Sequence, residues 1–381
     1  MASKLGDYCD FQEGYVNPSQ HHPEYFDGDV KWIRAVDLNN GFVYNTTRTL
    51  TSTGFRSAGK SALLFEPDTI VISKSGTIGR LGIIKDYMCG NRATINIRPK
   101  HNCDLYFVFY FLRSIQQHLG DLAVGSVQKN LYVSILENIE VAFPDLDTQR
   151  KIGQFMLMFD SKIETNNKIN DNLQQQAATL FSYFYDHAET EAGFTEIIQI
   201  LGGGTPKTGE SSYWNGNVPF FTPKDVGSPY TLITEKTITE EGLAHCNSRL
   251  YPVNTVFVTA RGTVGKVGLS GVPMAMNQSC YALVGKDTHQ LLVYFYTLKA
   301  VDRLKHKASG AVFDAITTRD FESECIMKLS DADTKSFLDV AAPMYQTILS
   351  NSIENLRLAT LRDTLLPKLM SGEIDVSDIQ L

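Results

Sequence analysis

IGQFMLMFDSKIETNNKINDNLQQQAATLFSYF, residues 152–184, is the stretch around which the chain is organised. Ile152, Met156, Phe159, Ile163, Asn166, Asn170, Leu173, Ala177, Leu180 and Phe184 are spaced alternately by four and three. That is the seam of a helix lying along another helix. At ~1.5 Å per residue, these roughly 33 residues predict a rod of about 50 Å. No proline interrupts the stretch, and no glycine follows Gly153. Asn166 and Asn170 stand on an otherwise apolar seam, where polar residues fix register and partner number at some expense of stability. A long helix lying on a domain core is also compatible with these heptads, and the rest of the chain separates the two readings.

The chain repeats around this rod. TVFVTARGTVGKVGLS at 255–270 matches TIVISKSGTIGRLGII at 69–84, and positions 69–112 set against 255–298 share 12 identities in 44. Ordinary composition gives roughly three by chance. Residues 30–37 resemble 218–225, and Gly125-Ser126-Val127 resembles Gly310-Ala311-Val312. Ile163, Asn166, Leu173 and Leu180 align at a shift of 185 with Ile348, Asn351, Leu358 and Leu365. The order is globular domain, long helix, globular domain, long helix: residues 1–143, 144–190, 191–330 and 331–381. Two helices that cannot bury their seams alone pack on each other. Antiparallel packing is then expected to set the domains at opposite ends of a rod, as a ruler. The fold class is α+β, with two α/β domains separated by two long antiparallel coiled-coil helices in a pseudo-twofold internal repeat. Around the rod, residues 30–36 and 139–143 read as strands, and residues 105–118 as a helix.

With 381 residues, 43% hydrophobic and 20% charged, the chain has ordinary globular composition. No signal-type or membrane-spanning apolar run is evident, which predicts a cytoplasmic protein with no membrane partner. Cys9, Cys89, Cys103, Cys246, Cys280 and Cys325 form no C-x-x-C pair and read as reduced thiols. The net charge of −7 is uneven: residues 1–143 are neutral and 200–330 carry +2, whereas 144–199 carry −5 and 331–381 carry −4. Acid is concentrated in the expected helices. The domains between them are able to bind DNA, weakly unless a partner adds basic surface.

GFRSAGKS, from Gly54 to Ser61, has the letters of a phosphate-binding loop. The stretch before it is polar, Pro67 cuts the run after it, and the second half has no counterpart, so coincidence is the reading adopted. The G-x-x-G-x-x-G runs at Gly76/Gly79/Gly82 and Gly262/Gly265/Gly268 lie between apolar β-rich segments. Glycine there serves a hairpin or bulge; alternatively it lets backbone approach a nucleic acid. Lys74, Ser75, Thr77 and Arg80, and Arg261, Thr263 and Lys266, are the candidate DNA-proximal residues, since paired cations and hydroxyls suit phosphate contact. Gln128, Lys129 and Asn130 are candidate base-edge readers in the first half, because Gln and Asn grip adenine bidentately; Phe313, Thr318 and Arg319 are those of the second. A plain surface turn remains the alternative for residues 125–130. The histidines show no metal-ligand spacing, and no catalytic residues are assigned.

In its architecture and letters the whole chain resembles the specificity (S) subunit of type I restriction–modification systems. The resemblance is carried by FPDLDTQRKI at 143–152, RDTLLPKLMSGEI at 362–374, GGGTPKTGESSYW at 202–214 and the paired S/R-G-T-x-G-K/R runs. It implies two target recognition domains, each reading one half of a bipartite, asymmetric double-stranded DNA sequence, with the helices as spacer. It further implies docking of two adenine-N6 methyltransferase subunits, which bring S-adenosylmethionine, and a motor–nuclease subunit as an optional addition; this chain binds no cofactor and is not itself an enzyme. Gln149, Ile152, Phe159 and Ile163 on the first helix, and Leu349, Ile353 and Leu356 on the second, are the implied docking residues. One departure stands out: the first helix starts with Pro144-Asp145 and Gln149, whereas residues 329–335 supply neither proline nor glutamine. Unequal docking surfaces, or a later start of the second helix, are expected from it. The alternatives are a structural coiled-coil scaffold without DNA, and a nucleotide-binding enzyme built on Gly54 to Ser61.

Overall fold

TIVIS and TINIRP are rich in β-branched residues, which favour a pleated, buried surface, and in the computed structural model they become the strands Thr69–Ser73 and Thr94–Pro99. The structure describes residues 3–125, 129–227, 229–307 and 315–376. It divides into two units, residues 1–163 with 357–381, and residues 164–356.

In the first unit a five-stranded sheet runs in the order Cys9–Glu13, Thr94–Pro99, Thr69–Ser73, Leu81–Ile84, Gly41–Val43. Neighbours are antiparallel except the last pair, which is parallel. The second unit repeats it strand for strand as Ile198–Gly202, Cys280–Gly285, Val256–Thr259, Val267–Ser270, Tyr230–Thr231, again with a parallel last pair. Register is kept as well. Ser73 faces Thr94 and Ile72 faces Leu81, as Thr259 faces Cys280 and Val258 faces Val267. A smaller sheet in each unit is built on Phe26–Ile33 or Trp214–Phe221, and both strands carry a register shift at matching places.

Three expected elements differ in extent. The strand at 30–36 runs from Phe26 to Ile33 and stops where Asp37 Oδ2 accepts from Arg34 N at 2.9 Å, closing a 3-10 turn. The helix at 105–118 breaks at Ile115 into Leu105–Ser114 and Gln116–Leu122. The strand at 139–143 shrinks to Glu140–Val141, paired with Ser3–Lys4.

The long helices are Leu146–Asp186 and Asp331–Met370, of 41 and 40 residues. In the second unit Asn166 Nδ2 donates to Glu354 Oε2 at 2.7 Å and to Asn355 Oδ1 at 2.8 Å. Asn351 Nδ2 donates to Asn170 Oδ1 at 2.8 Å, and Phe181 meets Phe337 edge-on. Partners descend along one helix as they ascend along the other, so the helices are antiparallel. In the first unit Asp160 pairs with Arg362 while Ile152 shares a core with Leu366 and Leu369, in the same sense. Near the end of the first helix the seam shifts by one residue, burying Phe181 and Tyr185 and leaving Leu180 and Phe184 half-buried.

The second helix does not start late. Asp331 lies 185 residues after Leu146, the shift of the repeat. Asp145 Oδ1 accepts from Thr148 N at 3.0 Å, and Ser330 Oγ accepts from Asp333 N at 3.1 Å, so both helices carry a polar N-cap at the matching place. No helix among the described residues is long and apolar enough to cross a membrane.

Candidate nucleic-acid interface

Each unit closes its central hairpin with the same loop. Gly76 and Gly79 have φ of 76° and 84°, and Gly262 and Gly265 have 82° and 74°. Only glycine adopts this left-handed backbone without strain. Ser73 Oγ accepts from Arg80 N at 2.9 Å and donates to Thr77 O; Thr259 Oγ1 accepts from Lys266 N at 2.9 Å and donates to Thr263 O. The third glycines are packing residues: a Cβ on Gly82 would lie 2.7 Å from Val43, and one on Gly268 would lie 3.2 Å from Val226. The runs are therefore hairpins, and the loops are preformed by bonds to their own backbone.

At the tips Thr77 and Arg80, and Arg261, Thr263 and Lys266, are exposed, and Ser75 is half-exposed. Lys74 is different. Its Nζ lies 3.0 Å from Glu13 Oε1, with only 14% of the side chain exposed, and the repeat sets it opposite Ala260. The cation and hydroxyl that match between units are Arg80 with Lys266 and Thr77 with Thr263. Thr263 Oγ1 also donates to Pro223 O at 3.1 Å, which ties this loop to the 222–225 turn.

The expected base-edge segments are stitched to these loops by equivalent bonds. Leu131 N donates to Lys74 O at 2.8 Å, and Ile316 N donates to Ala260 O at 2.9 Å. Lys129 and Asn130 thus adjoin the first loop, Lys129 exposed and Asn130 half-buried and bridged to Val124. Thr318 and Arg319 are exposed at the start of the short helix Thr318–Glu322. Gln128 and Phe313 lie outside the described residues.

A further pair of turns belongs to the same face and was not singled out from sequence. Asn91 N donates to Ile33 O at 3.1 Å and its Oδ1 accepts from Ala93 N at 3.0 Å. Asn277 does the same with Phe221 O at 2.9 Å and Ser279 N at 3.0 Å. Lys74 N and Ala260 N then donate to Ala93 O and Ser279 O, both at 2.8 Å, docking each turn on its loop. The signal was present, since Asn91 and Asn277 are among the identities of the repeat.

The docking residues implied on the helices divide. Gln149 is 1% exposed: its Oε1 accepts from Asp104 N at 3.1 Å and its Nε2 donates to Pro144 O at 2.9 Å. Ile152 is 3% exposed within the first unit's core. Both are corrected from docking residues to internal ones; Gln149 satisfies two backbone groups that an apolar side chain would strand. Phe159, Ile163, Leu349 and Ile353 are half-buried, and Leu356 is exposed. Met158, Ile169, Tyr183, Val340 and Leu361 are exposed apolar side chains of the helices that the seam pattern did not mark.

The phosphate-loop reading of residues 54–61 fails on geometry. Gly54 sits inside the short helix Ser52–Arg56, its N–H already donated to Thr51 Oγ1 at 3.2 Å, and a Cβ there would lie 2.1 Å from Tyr25 O. No strand–loop–helix cradle forms. Burial pushes the thiols of Cys89, Cys103 and Cys280 up to about 12, which keeps them protonated. Among the described residues no cluster of His, Cys, Asp and Glu could hold a metal ion.

Comparison with known proteins agrees with this geometry. The family model described as type I restriction modification DNA specificity domain matches residues 1–175 and 193–327. The type I restriction enzyme MjaIX specificity subunit of Methanocaldococcus jannaschii is 23% identical over 96% of this chain and 91% of its own length. The EcoR124I/EcoR124II specificity subunit of Escherichia coli is 34% identical over 50% of each chain. The crystal structure of a type I restriction–modification S subunit from M. genitalium shares the fold, with a TM-score of 0.61 at 17% identity, over 97% of this chain and 95% of that one. Matched by the family model over both of its repeats, the chain belongs to the type I restriction–modification DNA specificity family.

Proposed function

We propose that the chain is the non-catalytic recognition subunit of a type I restriction–modification complex, and that the hairpin face of each unit reads one half of a bipartite double-stranded DNA target. The observation that carries this is the repeated loop: two preformed hairpins present a hydroxyl and a cation at matching places, Thr77 with Arg80 and Thr263 with Lys266. Such groups hold phosphates and fix orientation without reading sequence. The segments stitched beside them differ in side chain, as two faces reading different sequences require. The long helices would dock two methyltransferase subunits, which supply S-adenosylmethionine and the chemistry, and a motor–nuclease subunit completes the assembly where restriction is present.

The test is a genome-wide map of N6-methyladenine in an unmethylated host. That host co-expresses this chain with the methyltransferase subunit of its own locus. The expected result is a split motif with two defined halves and a fixed unread gap. Methylation at one short continuous site would overturn the two-face reading. A stable complex that neither methylates nor binds DNA would favour a scaffold.

A further inference from the structure

Arg92 and Gln278 occupy the same place in the two units, and they differ in chemistry. Each follows the asparagine of the turn described above, Asn91 or Asn277, whose hydrogen bonds repeat within a few tenths of an ångström. Each is exposed, beside a hairpin loop. Among the described residues no ion pair or hydrogen bond engages the Arg92 guanidinium. Gln278 Oε1 accepts a hydrogen bond from Thr205 Oγ1, which orients the amide and leaves its Nε2 hydrogens unengaged among the described residues.

Resting on the function proposed above, we propose that Arg92 and Gln278 are specificity-determining residues, Arg92 reading a guanine in one half of the target and Gln278 an adenine in the other. Where the two units keep the same chemistry, at Thr77/Thr263 and Arg80/Lys266, the partner must be the same in both halves, and the phosphate backbone is. Where the hydrogen bonds of the turn repeat and the exposed chemistry changes, the partner differs between halves, and base edges do. A guanidinium fork matches the N7 and O6 acceptors of guanine, and a carboxamide matches the N7 acceptor and N6 donor of adenine. The Gln278 carbonyl has a second lone pair for that donor beyond the one Thr205 uses. Thr205 belongs to the glycine-rich 202–205 stretch. Gly203 there is packed so close to the turn that a Cβ would lie 2.2 Å from Asn277 O. The stretch is thus the support that presents Gln278.

The experiment is the methylation map repeated with R92Q and with Q278R, each in the chain assembled with its methyltransferase. R92Q is expected to change one position of one half-motif from guanine to adenine, and Q278R to change one position of the other half from adenine to guanine. In each case the opposite half and the gap are retained. T205V is expected to relax the adenine position alone, lowering its preference about five-fold, the low end of what one bidentate contact confers. Motifs unchanged in both variants, or uniform weakening at all sequences, would overturn the assignment while leaving the two-face reading intact. A wild-type map without a split motif would remove both. Should one variant fail to assemble, the other decides, because the two turns lie in separate units.

Discussion

Asp145 caps the first long helix with a carboxylate and Ser330 caps the second with a hydroxyl, and the difference has a consequence in acid. The N–H of Thr148, and after it the Thr148 hydroxyl, hold the Asp145 carboxyl below the usual carboxylate range. A depressed folded-state value stabilises the fold above the unfolded value and loses that contribution as pH falls through the folded one. The window therefore opens below about pH 4, the ordinary aspartate value. Asp145→Ser, which copies the second helix, should retain the cap at neutral pH and flatten the acid limb of stability, read as the midpoint of thermal unfolding against pH. An acid limb identical to wild type would place the titration elsewhere. Gln149 shows at the same scale what one sequence hides. Its letter and position were legible, but its inward orientation follows from Asp104, 45 residues earlier, whose N–H it caps. No local pattern carries that contact.

The long helices were legible as elements because heptad spacing is a local property, and the hairpins because glycine at left-handed positions is. The break at Ile115 and the one-residue shift of the seam to Phe181 were not, since both answer to packing by distant residues. The asparagines on the seam form two bonded pairs, Asn166 with Asn355 and Asn170 with Asn351, which exchange under the 185-residue repeat. Replacing Asn170 alone by leucine removes the acceptor of Asn351 Nδ2, and about 1 kcal/mol of stability should be lost. Replacing both by leucine should recover that loss, because the matched apolar pair leaves no donor stranded. Urea unfolding of the two singles and the double gives the coupling, and additive effects would exclude a specific Asn–Asn pairing. The repeat is less faithful at helix–domain contacts. Asp160 joins Tyr110, Arg113 and Arg362 in a buried ionic cluster of the first unit. Its counterpart in the second, Tyr345, packs among Tyr230, Tyr294 and Phe295.

For the molecule as a whole, a net charge of −7 sits poorly with strong DNA binding. Few phosphate contacts by this chain alone imply a shallow dependence of affinity on salt, since each contact adds about 0.9 to the log–log slope. Binding to duplex DNA by the isolated chain should therefore be weak with a small slope, and the complex with its methyltransferase subunits should show a markedly steeper one. Equal slopes would mean that this chain carries the whole electrostatic clamp. The two turns at Asn91 and Asn277 bear on how such a protein changes over generations. Their shape is held by backbone groups and the asparagine side chain, while among the described residues the Arg92 guanidinium makes no hydrogen bond or ion pair and the Gln278 side chain bonds only Thr205. Substitution at such exposed positions usually alters stability by less than about 0.5 kcal/mol. A lineage is then free to try new letters there without passing through an unfolded intermediate, so that, on the assignment proposed above, what the protein recognises can change while its scaffold stays still.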